Sequence, residues 1–357
     1  MAKLNIVSVI GARPQFVKAA IVSKALREAG MHEIVVHSGQ HYDHAMSGQF
    51  LEDLGIEIDA NLEVGSGSHA VQTAQVMTKF EAYLEGLETP ADAVIVYGDT
   101  NSTIATALVA AKVHIPIVHV EAGLRSYNKA MPEEVNRVVT DHLSQILFCS
   151  SQEGRANLAK EGVTEGVFVT GDVMLDAFQH FSGRIQYGAI AERVLGAPRT
   201  GFILMTLHRP SNTDDPRVLP RLKMFLERVD HPVIWPVHPR FRKAVDAAGL
   251  PEHVHLIDPV GYFQMLDLLN GCDHVITDSG GLQKEAYWAR RSCITLREET
   301  EWVETLQGNW NVLANLDDDV PGLLERTPST NWIPLYGHGT ACATITKLLL
   351  ENVKSRA

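Results

Sequence analysis

Charged and polar residues collect just after short apolar runs in this chain. Gly11, Arg13 and Lys18 follow Asn5–Ile10; Gly98-Asp99-Thr100 follows Ala93–Tyr97; Glu121 and Arg125 follow Ile117–Val120, with Pro132-Glu133-Glu134-Val135-Asn136-Arg137 shortly beyond. Farther along, the run Phe202–Leu207 ends in His208-Arg209, and His274–Thr277 ends in Asp278-Ser279-Gly280-Gly281. Open parallel sheets bind ligands beyond the carboxyl ends of their strands, so these are the positions a substrate would meet. Asp99, Glu121, Glu133 and His208 suit acid/base chemistry at an interdomain site, because carboxylates gathered in one cleft disfavour each other's ionisation and leave one able to carry a proton. Each carboxylate also admits a plain structural use. Asp99 can cap a helix beginning near Ser102, Glu121 can pair with Arg125, and Glu133 can open a helix after Pro132.

Asp278-Ser279-Gly280-Gly281 precedes a helical pattern at Leu282, Ala286 and Ala289. A helix N-terminus offers free N–H groups and the positive end of the macrodipole, and two glycines admit a phosphate close to the backbone, which together make a diphosphate cradle. An ordinary helix start with Asp or Ser as N-cap is the competing use of the same residues. Glu285, one turn in, can accept from ribose hydroxyls or lie on the surface. Arg13 and Lys18 can supply charge from across a cleft or be surface cations.

Other patterns are set aside. Gly65-Ser66-Gly67-Ser68-His69-Ala70 fits G-x-G-x-x-A but follows an acidic loop rather than opening a first strand-turn-helix unit, so it is not read as a dinucleotide fingerprint. The chain has no G-x-x-x-x-G-K-[ST], and no G-x-S-x-G surrounds Ser279. His119 and Glu121 share a face of a strand, yet no third ligand lies at metal spacing; neither a catalytic metal nor a redox cofactor is expected.

The elements that position these residues alternate from end to end as short apolar runs and longer helical segments, the pattern of an α/β protein with parallel sheets. Strands are expected at Asn5–Ile10, Ile34–His37, Ala93–Tyr97, Ile117–Val120, Ile146–Cys149 and Val167–Thr170. A second series is expected at Phe202–Leu207, Val233–Pro236, Val254–Ile257, His274–Thr277 and Cys293–Leu296. With 357 residues and roughly 150 per domain, two domains are expected. The join is placed near Gly171-Asp172, giving residues 1–171, 172–339 and a closing helix in 340–357. The 31 Lys+Arg against 43 Asp+Glu leave a net charge of −12, which argues against nucleic acid as a partner. No run approaches the ~20 apolar residues of a membrane span. The start of the chain leads straight into a strand pattern, so a cytoplasmic location is expected. Cys149, Cys272, Cys293 and Cys342 lie far apart and read as reduced, buried thiols.

Taken together, Gly11-Ala12-Arg13-Pro14 with Lys18, Gln40-His41, Gly98-Asp99-Thr100, His119 to Arg125, Pro132 to Arg137, His208-Arg209 and Asp278 to Glu285 resemble the non-hydrolysing UDP-N-acetylglucosamine 2-epimerases, in family order and over nearly the whole chain. The resemblance implies two Rossmann-like, doubly wound parallel-sheet domains of the GT-B type facing a cleft, a homodimer, and interconversion of a UDP-2-acetamido sugar with its C2 epimer. It makes Asp99, Glu121, Glu133 and His208 catalytic. It gives Arg13, Lys18, Arg137, Ser279, Gly280, Gly281 and Glu285 to the UDP-sugar. Family enzymes are understood to expel UDP, forming a 2-acetamidoglucal, and to add it back after protonation on the other face. Closure of the domains over the glycal is expected, since water has to be kept out until UDP returns.

Two departures stand out. Where the family pattern reads T-E-R-P-E, this chain has Thr300-Glu301-Trp302-Val303-Glu304. That version looks like the subgroup acting on UDP-2,3-diacetamido-2,3-dideoxyglucuronate; a packing replacement with unchanged substrate is the other reading. In substrate-activated members a second UDP-sugar uses Gln-His and a helix arginine, and here that helix carries Met77 and Lys79. A GT-B glycosyltransferase is the rival from another class, sharing fold and cradle, and the three carboxylates of the first half favour the epimerase.

Overall fold

The computed structural model describes residues 3–39, 44–185, 187–196, 201–215 and 217–355. Gln40 and His41 lie outside them. The expected α/β architecture is the one the chain adopts, as two compact units. One comprises Met1–Gln179 with Tyr336–Ala357, and the other His180–Leu335. The helix Ala341–Asn352 therefore belongs with the first unit, against the helix Arg13–Glu28.

The first unit holds β1 (Asn5–Ile10), β2 (His32–His37), β3 (Ala60–Asn61), β4 (Ala93–Tyr97), β5 (Ile117–Val120), β6 (Ile146–Cys149) and β7 (Val167–Val169). They form one sheet in the order β3-β2-β1-β4-β5-β6-β7, with every pairing parallel. The second unit holds β8 (Ile203–Thr206), β9 (Val233–Pro236), β10 (Val254–Ile257), β11 (His274–Thr277), β12 (Ser292–Thr295) and β13 (Asn311–Leu313), in the order β10-β9-β8-β11-β12-β13, again all parallel. Central strands read as near-continuous apolar runs because helices cover both faces, and every residue of β1, β4 and β5 is buried, Asn5, Ser8 and His119 included. In the first unit Val76 and Phe80 from the helix His69–Glu85, and Ala105 and Val109 from Asn101–Lys112, pack with Val7, Val94 and Val96 of the sheet. In the second, Trp235, Phe225, Leu222 and Ile276 centre a core of the same kind.

Both sheets reverse their strand order at one place, between β1 and β4 and between β8 and β11. Connections from the two strands at such a reversal leave on opposite faces and open a crevice at the carboxyl ends. Gly11 to Lys18 follow β1 and Gly98-Asp99 follow β4, while His208-Arg209 follow β8 and Asp278 to Gly281 follow β11. No helix among the described residues is long and apolar enough to cross a membrane.

Candidate active site

In the first unit the turn after β1 is held by Gln15. Its Oε1 accepts from the amides of Gly11 at 2.7 Å and Ala12 at 3.0 Å, and its Nε2 donates to the Tyr97 carbonyl at 2.7 Å. The start of the helix Arg13–Glu28 is thereby tied to the end of β4. Gly11 is required because a Cβ there would lie 2.1 Å from Ser38 Oγ and 2.5 Å from Ser102 Oγ. Arg13, in the first turn, is exposed and stacks on Phe50 with its guanidinium carbon 5.2 Å from the ring centroid.

Lys18 points inward from the same helix and donates to Glu121 Oε1 at 2.6 Å, with side-chain exposures of 8% and 9%. Glu121 follows β5 with φ +72°, a left-handed conformation that a non-glycine residue adopts at a cost of ~1–3 kcal/mol. Gly98 adopts φ +61° beside this pair, and a Cβ on it would stand 3.4 Å from Lys18 Nζ and 3.7 Å from Glu121 Oε1. Asp99 comes next. Its carboxylate pairs with Arg137 and its carbonyl accepts from Asn136 Nδ2 at 2.9 Å. Arg137 is buried and also donates to Glu134 at 2.7 Å.

Thr100, not Asp99, caps the helix Asn101–Lys112. Glu121 meets Lys18, while Arg125 meets Asp141 at 2.7 Å and Glu161 at 2.7 Å. Glu133 does lie in the first turn of the helix Pro132–Leu143, exposed and, among the described residues, with no hydrogen bond or ion pair of its own. Its neighbour Glu134 is buried and accepts from the amides of Ser126 and Tyr127, both at 2.9 Å. The structure thus brings Lys18 to Glu121 and Arg137 to Asp99, and leaves Glu133 facing solvent.

In the second unit Asp278, fully buried, organises the end of β8. Its carboxylate accepts from the amides of His208 at 3.1 Å and Arg209 at 3.0 Å, from Asn212 Nδ2 at 2.9 Å and from His208 Nδ1 at 2.8 Å. Burial works to raise this carboxyl, but the bonds from His208 and Asn212 prevail and hold it below the usual carboxylate range. His208 keeps half its side chain exposed and directs its other nitrogen away from the anchor. Ser279 caps the helix Gly280–Trp288, accepting from the Leu282 amide at 3.4 Å. A Cβ on Gly280 would fall 2.6 Å from Glu301 Oε1 and 3.2 Å from Trp302 Nε1, whereas one on Gly281 would meet no atom within 4 Å. Gly281 therefore offers the open approach to the backbone and Gly280 the close packing behind it. Glu285 is buried on that helix.

The contacts of several residues near these sites are not evident in the sequence. Trp302 is buried, and the equally buried Lys284 places Nζ 3.5 Å from its ring centroid. Glu301 accepts from Arg297 at 2.9 Å and lies 4.0 Å from Arg209 Nη2. Burial tends to raise the Glu301 carboxyl, and Arg297 more than offsets it. Lys79, in the helix where substrate-activated members carry an arginine, spends its ammonium on the carbonyls of Leu62 and Glu63, at 2.6 and 3.0 Å. Among the described residues no cluster of three or more His, Cys, Asp or Glu is placed to hold a metal ion.

Comparison with known proteins adds an independent line. The sequence model of the family described as UDP-N-acetylglucosamine 2-epimerase matches residues 24–350. The chain is 43% identical to a UDP-2,3-diacetamido-2,3-dideoxy-D-glucuronate 2-epimerase of Pseudomonas aeruginosa, over 98% of this chain and 100% of that one. It is 36% identical to a UDP-N-acetylglucosamine 2-epimerase of Methanococcus maripaludis, over 99% of this chain and 100% of that one. Among solved structures, the Methanocaldococcus jannaschii UDP-GlcNAc 2-epimerase in complex with UDP-GlcNAc and UDP superposes with a TM-score of 0.88 at 32% identity, covering 98% of this chain and 100% of the other.

Proposed function

Since the chain belongs to the UDP-N-acetylglucosamine 2-epimerase family, we propose that it inverts C2 of a UDP-2-acetamido sugar, interconverting UDP-N-acetylglucosamine and UDP-N-acetylmannosamine, by eliminating UDP and adding it back. The C2 hydrogen lies beside an acetamido group rather than a carbonyl, so its removal is coupled to loss of a leaving group. A base takes the C2 proton, the C1–O bond breaks, and UDP departs with the bonding electrons, leaving a 2-acetamidoglucal. An acid then delivers a proton to C2 from the opposite face, and a diphosphate oxygen re-forms the bond to C1. Atoms and charge balance without any oxidant.

One observation carries this reading: carboxylates gather at the ends of β4 and β5 in the first unit, with the Lys18 ammonium bound to one of them. Asp99, Glu121 and Glu133 supply the acid and base groups, each such group being worth ~10²–10⁴ in rate. Arg13, His208 and the Ser279-Gly280-Gly281 turn supply positive charge and N–H donors for the departing diphosphate. Lys18 and Arg137 hold the carboxylates, and Glu285 is assigned to the ribose. A homodimer and a cytoplasmic location are part of the same proposal; four buried free thiols suit a reducing compartment.

A second reading has its own support. Trp302 occupies the place of the family arginine, and the 43% identical relative is the diacetamidoglucuronate enzyme, so UDP-2,3-diacetamido-2,3-dideoxyglucuronate is the alternative substrate. Incubating the protein with each nucleotide sugar in turn, and following the sugar by NMR, tests both. Two intact UDP-sugars from UDP-N-acetylglucosamine support the first, and inertness there with conversion of the uronate supports the second. Free sugar plus UDP, or turnover only with an added acceptor, overturns the epimerase assignment.

A further inference from the structure

Asp141 lies in the helix Pro132–Leu143 with no exposed surface, and the reaction outlined above makes no use of it. One of its oxygens reaches the end of β4 through His119, and the other reaches the turn after β5 directly. Oδ1 accepts from His119 Nδ1 at 2.7 Å, and the other ring nitrogen of His119 donates to the Gly98 carbonyl at 2.8 Å. Oδ2 accepts from the Gly123 amide at 3.1 Å and from Arg125 Nη1 at 2.7 Å. Gly98 immediately precedes Asp99, and Gly123 comes two residues after Glu121. A single buried carboxylate therefore grips the turn that carries Asp99 and the turn that carries Glu121.

Those turns need such support. Gly98, Glu121 and Gly123 all adopt left-handed φ values, of +61°, +72° and +80°, and the non-glycine among them persists only where its surroundings over-determine it. The Arg125 guanidinium is itself clamped, with Nε and Nη2 donating to Glu161 at 2.7 and 2.8 Å. The imidazole of His119 bridges the Asp141 carboxyl and the Gly98 carbonyl, one through each ring nitrogen. Burial tends to raise the Asp141 carboxyl, but His119 and Arg125 hold it below the usual range.

We infer that Asp141 is a positioning residue: through His119 and the Gly123 amide it fixes the placement of Asp99 relative to Glu121 that proton removal and return require. The inference rests on the epimerase assignment and deepens it. An amide at 141 keeps an acceptor for the Gly123–Arg125 pair and offers a donor to His119 Nδ1 while His119 Nε2 still donates to Gly98, so Asp141→Asn is the conservative variant, whereas Asp141→Leu offers an acceptor to neither turn. A displacement of about 1 Å at a reacting group costs ~10²-fold in rate. The diphosphate cradle lies in the other unit and keeps its geometry.

The test uses the full chain, with kcat read as deuterium incorporation at C2 of the converted sugar and UDP affinity read separately by calorimetry. Asp141→Leu is expected to lower kcat about a hundredfold with Kd for UDP within about twofold, and the conservative Asp141→Asn to be at least about tenfold faster than Asp141→Leu. His119→Asn, which leaves the Arg125–Asp141–Gly123 contacts in place, provides a second variant should Asp141→Leu not fold. It is expected to lose kcat with UDP binding kept. The inference is overturned if folded Asp141→Leu or His119→Asn keeps kcat within about threefold of the unsubstituted protein, if Asp141→Asn is no faster than Asp141→Leu, or if UDP affinity falls in step with kcat. No exchange by the unsubstituted protein with any UDP-2-acetamido sugar overturns the epimerase assignment itself, and the inference with it.

Discussion

Replacing Lys18 by methionine removes the ammonium 2.6 Å from Glu121 Oε1, in a pair whose side chains are 8% and 9% exposed. Methionine keeps most of the side-chain volume, so the change isolates the charge. Breaking a buried ion pair from one side costs about 3–5 kcal/mol, because the partner is left desolvated beside an apolar group. Taking ~3 kcal/mol, and roughly 2–4 °C per kcal/mol for a unit of this size, the melting temperature of the first unit falls by about 6–12 °C. Glu121→Gln removes the other charge and is destabilising for the same reason. When both are replaced the penalty for a lone charge disappears, so Lys18→Met with Glu121→Gln is expected to be more stable than the sum of the single changes predicts, by about 2 kcal/mol. Scanning calorimetry of the four proteins gives this coupling directly. Additive single effects would refute the buried pair as the element that holds Glu121, since independent surface charges couple by only about 0.2–1 kcal/mol.

Three further expectations follow from the same geometry. Asp141 and Asp278 both titrate below their ordinary value of 3.8 in the folded chain; their stabilisation is complete above that pH and is lost as pH falls through the lower folded values, so urea midpoints should drop progressively below about pH 4 and Asp278→Asn should flatten that decline. A midpoint that rises on acidification contradicts this. Burial pushes the thiols of Cys149, Cys272 and Cys293 up to about 12, so iodoacetamide at pH 8 should leave the mass of the native protein unchanged, and one rapid adduct would contradict it. Gly280→Ala forces Glu301 or Trp302 to move and should lower both the melting temperature and UDP affinity; Gly281→Ala has open space and should lower UDP affinity alone. Equal affinity for UDP in both variants and the unsubstituted chain would remove the cradle from this turn.

Long apolar runs made much of the fold legible. β1, β4, β5, β8 and β11 are buried on both faces, so their sequences are mostly apolar or β-branched, with Asn5, Ser8, His119 and His274 as exceptions, and their ends are punctuated by glycine, aspartate, glutamate or histidine. β3 and β13 span only Ala60–Asn61 and Asn311–Leu313 and sit at sheet edges, too short to carry a pattern. The placement of the candidate site was legible where polar residues follow a strand end, as at Asp99 and Ser279. Its wiring was not, because the partners are distant in sequence: Lys18 is 103 residues from Glu121, and His208 70 from Asp278. Alternation along a strand puts His119 and Glu121 on one face, but β5 ends at Val120 and Glu121 turns left-handed. His119 is thereby left to Asp141 and Gly98, with Glu121 free to meet Lys18. A pairing of Glu121 with Arg125 looks natural from spacing alone, and is lost because Asp141 and Glu161 offer that guanidinium a buried, two-sided site.

The breaking and remaking of the bond between sugar and nucleotide is tested most directly by a positional isotope experiment in D₂O. UDP-N-acetylglucosamine carrying ¹⁸O in the bridge between C1 and the β-phosphorus is incubated with the protein and recovered. The account predicts that label migrates into the non-bridging β-phosphate oxygens while deuterium enters C2, as a freed diphosphate rotates before it returns. Epimerisation with the label retained in the bridge would contradict it.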